Sequence, residues 1–113
     1  MLMHVGPLPD DPLAAAAAFH ADVVPRVIAE LAAGTLQLIL VFTPAGHRHR
    51  AWREAAIQTM ARELAPVRIN AVATVEPAPL LAAEAYIARA PGLTGQYLPL
   101  DSQGAGGMVH SPP

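Results

Sequence analysis

A chain of 113 residues is long enough for one small domain and too short for two of ordinary size. Its net charge of −2 and seven scattered basic residues exclude the concentrated positive field of a nucleic-acid binder, and with no cysteine there is no disulfide or thiolate metal site. Hydrophobic residues make up 53% and charged ones 14%, at a mean hydropathy of +0.34, so another subunit is expected to cover part of so apolar a surface.

Leu2–Val5 is a short apolar run closed by Gly6-Pro7, which predicts a strand. Asp10 and Asp11 before Pro12 make a helix start, with an acidic cap and a proline in the first turn. Leu13–Ala33 then reads as an alanine-rich helix with Phe19, Val23, Val27 and Leu31 on one face. Pro25 predicts a kink or restart near Val24, and Gly34 terminates the element. Leu36–Phe42 is nearly all apolar and is expected to be a central strand, broken by Thr43-Pro44-Ala45-Gly46.

Arg50–Ala65 is the next helix, with Arg50 and Glu54 spaced for an ion pair. One of its faces carries Ala51, Ala55, Gln58, Thr59 and Arg62, another Trp52, Ala56, Met60 and Glu63. So many small side chains would let two helices approach closely. Ala65-Pro66 ends the helix, because proline cannot continue it and biases the preceding residue away from helical geometry. Ile69–Ala73 follows as a buried strand, Thr74–Pro79 as a proline-bounded loop, Leu80–Ala90 as a helix and Gln96–Leu100 as a final strand. Residues 1–101 form the domain, and Ser102–Pro113 is a Gly/Pro-rich tail expected to be disordered or laid on a partner. Alternation of strands and helices predicts an α/β fold with a mostly parallel sheet and helices on both faces.

The run Arg62-Glu63-Leu64-Ala65-Pro66-Val67-Arg68-Ile69-Asn70-Ala71-Val72-Ala73 resembles the stretch that joins a helix to the sixth strand in short-chain dehydrogenases/reductases. Leu93-Thr94-Gly95-Gln96-Tyr97-Leu98-Pro99-Leu100-Asp101 looks like that family's approach to its last strand. The resemblance implies the second half of a doubly wound, Rossmann-like sheet, in which the first three strands and their helices are absent. It implies that Asn70 bonds neighbouring backbone. It also places Met3-His4-Val5-Gly6 where the family has Asn-Asn-Ala-Gly, of which only the glycine remains.

The family's chemistry needs a nicotinamide dinucleotide on a glycine-rich turn, and a tyrosine whose ionised form is favoured by a lysine four residues on. By the resemblance the lysine position falls on Arg50, the tyrosine position near Gly46 and the serine position on Thr43, while the asparagine position is lost among residues 12–15. All seven basic residues are arginine, and neither Tyr86 nor Tyr97 stands where the tyrosine should. A guanidinium does not replace a phenol. The Gly104-x-Gly106-Gly107 cluster has no helix behind it, so it makes a poor phosphate site. Catalytic residues are therefore expected to be absent, with Thr43 and Arg50 as remnants, and NAD(P) is expected only if a partner subunit supplies its site.

His47-x-His49, with Arg48 and Arg50 interleaved, reads first as a solvated polar loop. Its alternatives are a ligand or anion contact, and a metal site lacking a carboxylate or cysteine to complete it. Thr43 without a base is expected to make a local hydrogen bond, and Arg62 and Glu63 a salt-bridged helix end. No apolar run approaches the roughly 20 residues of a membrane span, and the start lacks a secretion signal, so a cytoplasmic location is expected. Partners are expected to be a second copy or a full-length short-chain dehydrogenase, not nucleic acid or membrane. The resemblance implies pairing through the helices flanking the serine strand and through the last helix and strand. The expected interface residues are Phe19, Val23, Val27, Ala51, Trp52, Ala55, Thr59 and Tyr97. A non-catalytic, truncated subunit acting by oligomerisation is the first reading. A residual oxidoreductase or small-ligand binder with a site between subunits (Thr43, His47, His49, Arg50) is the second, and a decayed gene product the third.

Overall fold

Two six-residue strands, β2 (Gln37–Phe42) and β3 (Arg68–Ala73), form the centre of the sheet, and five of the six residues in each are buried. Short strands flank them, β1 (Leu2–His4) beside β2 and β4 (Tyr97–Pro99) beside β3, giving the order β1-β2-β3-β4 with every pair parallel. The structure is a computed structural model that describes residues 1–100. The predicted tail, Ser102–Pro113, with its glycine cluster, lies outside the described residues.

The register aligns Met3, Leu40, Ala71 and Tyr97 across the four strands. Because side chains alternate along a strand, this row and its parity mates Leu38, Phe42 and Ile69 face one core, which Phe19, Val23, Val27, Ala56, Ile57 and Met60 complete. The opposite parity, Ile39, Val41 and Val72, faces a second and smaller core with Ala83, Ile87 and Leu100. The domain is thus the predicted half of a Rossmann-like sheet, with helices on both faces.

The first connection is one continuous helix in three parts: α1 (Pro12–Ala18), a π-helical turn (Phe19–Val23) and α2 (Val24–Ala32). Asp11 caps it, its carboxylate accepting from the Ala14 N–H at 2.9 Å. Pro25 has no N–H to give, and the helix absorbs the break as a wide turn in which the Val24 N–H donates to the Phe19 carbonyl. At 21 residues, this helix is long and apolar enough by length and composition to cross a membrane, although His20, Asp22, Arg26 and Glu30 interrupt it and no uninterrupted apolar run reaches that length. Its Phe19, Val23 and Val27 stripe is packed on the sheet, as in the core helix of a globular domain.

A 3₁₀ turn (His47–His49) leads into α3 (Arg50–Glu63), which returns over the same face. The last connection, α4 (Pro77–Ala88), begins three residues earlier than predicted. Pro77 and Pro79 sit in its first turn, where an N–H has no intrahelical partner to lose. Helix α4 covers the other face, although β4 extends the sheet in the same direction as β2 and β3 did. The β3–α4–β4 crossover therefore has the opposite hand to the two before it, a departure from the near-uniform handedness of such units. The expected salt bridge at Arg62 and Glu63 is corrected: among the described residues the ion pair is Arg50–Glu54, since adjacent helical residues point in different directions.

Candidate functional site

Ligands of parallel sheets bind beyond the carboxyl ends of the strands. There, a cleft of about 370 Å³ opens between the ends of β1–β3 and the start of α4. Its polar groups are His4, Thr43, Thr74 and Glu76. Thr74 Oγ1 is occupied, accepting from the Glu76 N–H at 3.1 Å. Thr43 is exposed at the rim, where its carbonyl accepts from Arg53 at 2.9 Å, and among the described residues its hydroxyl meets no base. Nothing in the cleft activates a nucleophile. The end of α4 facing it offers Pro77 and Pro79, which have no N–H, behind the carboxylate-bearing Glu76. That end does not fit a pyrophosphate, which requires converging N–H donors and a positive field.

Beside β4, on the other face, lies a second pocket of about 260 Å³ lined by Ala45, Gly46, His47, Arg50, Tyr97 and Pro99. Arg50 forms an exposed ion pair with Glu54 at 3.5 Å, of the kind that contributes little to stability. Behind Tyr97 the structure buries Arg53, only 3% exposed, whose Nη1 donates to the Tyr97 hydroxyl at 3.0 Å and to the Thr43 carbonyl at 2.9 Å. The guanidinium lies 4.4 Å from the Phe42 ring centroid and 5.8 Å from that of Trp52. Its Nε is buried without a hydrogen-bond partner, and the salt bridges of the described residues do not include it.

His49 is buried rather than solvated, which corrects the polar-loop reading for that residue. Trp52 Nε1 donates to its Nδ1 at 3.0 Å, and indole N–H can only donate. The imidazole proton is thereby assigned to Nε2, which donates to the Asp10 carbonyl at 2.9 Å. His49 thus ties the start of α3 to the start of α1, whereas His47 is exposed.

Of the expected interface residues, Phe19, Val23 and Val27 are no more than 1% exposed inside the domain's own core, which corrects their assignment. The 3.6-residue period that marks them as a helix face marks a face turned to the sheet. Tyr97 is also buried, and Trp52 half-buried. Ala51, Ala55 and Thr59 are exposed along α3. Between α2 and α3 runs an apolar groove of about 230 Å³ with Val24, Ile28, Ala56, Thr59 and Met60 among its walls.

The arginine at position 53 escaped the sequence reading, although a signal for it exists. Residues 53, 56, 57, 60 and 61 follow the helical period of a buried stripe, and Arg53 occupies its first position.

A family model described as short chain dehydrogenase-like protein matches residues 3–100. The chain belongs to the short chain dehydrogenase-like protein family. No curated protein and no solved structure matches it. In this short chain dehydrogenase-like protein the positions that the resemblance assigns to tyrosine and lysine, Gly46 and Arg50, face one pocket and carry neither a phenol nor an ammonium. Tyr86 sits on the outer side of α4, half exposed.

Proposed function

We propose that this protein is a non-catalytic short chain dehydrogenase-like subunit that acts through association, as a homodimer or beside a full-length short-chain dehydrogenase. The groove between α2 and α3 carries the reading. Its walls are mostly apolar, with His20 and Glu63 among them, and include the small side chains of Ala56 and Thr59 and Ile28 at 53% exposure. Small residues let helices of a second chain approach closely, and the flanking Ala51 and Ala55 extend that surface along α3. Lack of a lysine anywhere in the chain, and of a tyrosine at the loop before α3, supports the non-catalytic part.

Native mass measured by light scattering on the full chain tests the reading. A dimer is expected, and Ile28→Glu with Thr59→Glu is expected to yield a folded monomer, because each adds a negative charge to a groove that already carries Glu63. If the wild-type chain is monomeric alone, co-purification with a full-length short-chain dehydrogenase becomes the expected outcome; failure of both overturns the proposal. A second reading, residual oxidoreductase or ligand-binding activity at a site between subunits, draws on the open cleft beside Thr43. Steady turnover of a carbonyl/alcohol pair with NAD(P)H by the purified chain would favour it.

A further inference from the structure

The two titratable groups of the α2–α3 groove stand at opposite ends of it. Its walls hold His20 and Glu63, together with Val24, Ile28, Ala56 and Thr59. Both helices connect parallel strands and lie on one face of the sheet, so they run the same way. The Phe19 ring meets Trp52 edge-on at 5.5 Å, and the Asp10 carbonyl meets His49 at 2.9 Å, which sets the early part of the first helix beside the early part of α3. His20 therefore lies at the Ala56 end and Glu63 at the Ile28 end, about 10 Å apart along the axes by the rise of an α-helix. Within one chain they do not pair.

Each group is also left wanting the other. Glu63 is exposed, outside the ion pairs of the described residues, and is the last residue of α3, where the negative end of the helix disfavours a carboxylate. His20 is exposed, and its Nδ1 lies 2.8 Å from the Ala16 carbonyl, which can only accept, so the ring proton is on Nδ1. Nε2 is then the nitrogen that takes a second proton and donates to a carboxylate. Resting on the association reading above, we propose that the groove docks a second copy of this chain, laid antiparallel about a twofold axis near Val24 and Thr59. The axis exchanges the two ends, so His20 of each copy meets Glu63 of the other, and the exposed Ile28 of each is covered. A parallel arrangement would instead set carboxylate against carboxylate. Around His20, the charged and titratable groups are Asp22 and Arg26 on its own helix, and His49 and Arg53 beyond the Phe19 and Trp52 rings. The pair forms with the imidazole charged, so association tightens as pH falls from about 8 to about 6 and loosens again as it rises.

Sedimentation equilibrium on the full chain, which yields the dimer Kd, tests the inference. At about pH 6, where imidazole is largely charged, His20→Glu and Glu63→Lys are each expected to weaken the dimer about tenfold, because each sets two like-charged pairs across the interface. The double variant carrying both changes is expected to recover the wild-type Kd, since the charges have exchanged ends and only an antiparallel interface allows that rescue. Both positions are exposed, and a lysine suits the end of α3, so the variants keep the fold, as circular dichroism checks. The wild-type dimer is expected to tighten several-fold between about pH 8 and about pH 6, and His20→Gln to remove that dependence. A dimer whose Kd ignores these substitutions, or one that the double variant does not rescue, overturns the inference and leaves association through the groove standing. A chain that is monomeric alone at every pH overturns it as well, and the association reading then rests on co-purification with a full-length short-chain dehydrogenase.

Discussion

Asn70 lies in the middle of β3 with no exposure, and both ends of its amide are engaged. Nδ2 donates to the Leu93 carbonyl at 3.0 Å, and Oδ1 accepts from the Gln96 N–H at 3.1 Å, so one side chain pins the loop that precedes β4. Gly95 turns that loop at φ +76°, with a would-be Cβ only 3.4 Å from the Ala61 Cβ, a conformation that an L side chain adopts only at a cost. Asn70→Ala leaves the Gln96 N–H without its acceptor, takes one of two donors from the Leu93 carbonyl, which Arg68 still reaches, and opens a cavity, and should destabilise by about 2–4 kcal/mol. A urea denaturation series checks this, and a loss below about 0.5 kcal/mol would mean that the amide bonds are dispensable. The alignment of Asn70 inside an apolar run was readable beforehand; its partners, more than twenty residues away, were visible in the sequence only through family resemblance.

At the scale of elements, α4 is held to the sheet from below by Arg68, the first residue of β3. Its Nη1 donates to the carbonyls of Ala90 at 2.9 Å and of Ile87 and Leu93 at 3.3 Å each. Those carbonyls lie at and just past the end of α4, where the helix dipole is negative and a cation stabilises. Replacing Arg68 with Met keeps the stem and removes the charge. The expected cost is about 1–2 kcal/mol, with faster hydrogen exchange confined to the last turn of α4. Uniformly faster exchange across the sheet would contradict that local role. Periodicity placed α3 and the long first helix well, because each carries an apolar stripe. It placed α4 late, since its two early prolines read as a loop when the chain is scanned for breakers, though the first helical turn accepts them.

For the whole molecule, β1 is one of two sheet edges open to strand addition. The pairing of β1 with β2 leaves the N–H and carbonyl of Leu2 and His4 directed outward, and Arg26 Nη2 occupies the His4 carbonyl at 2.8 Å. An arginine laid along an edge blunts it against strand addition. Arg26→Ala should therefore aggregate faster on mild heating, read by static light scattering, while the fold by circular dichroism stays unchanged; equal aggregation would show that the edge is protected by other means. The exposed Leu13, Leu36, Leu81 and Tyr86 add apolar surface beyond the α2–α3 groove, consistent with the high hydrophobic content.

Alternation of apolar strands with striped helices, proline and glycine at their boundaries, and the absence of lysine were properties of the sequence by itself. They determined an α/β fold with a mostly parallel sheet, because periodicity is local, while the half-sheet and the missing tyrosine–lysine pair were implied by the family resemblance of residues 62–73 and 93–101. Tertiary structure alone decided which side of each helix is spent on the core, removing Phe19, Val23 and Val27 from any interface. It also decided that Arg53 and His49 are interior and that α4 crosses on the opposite face. These depend on which distant segments meet, and packing across the sheet, not residue type, sets whether a charge or an apolar stripe is left for a partner.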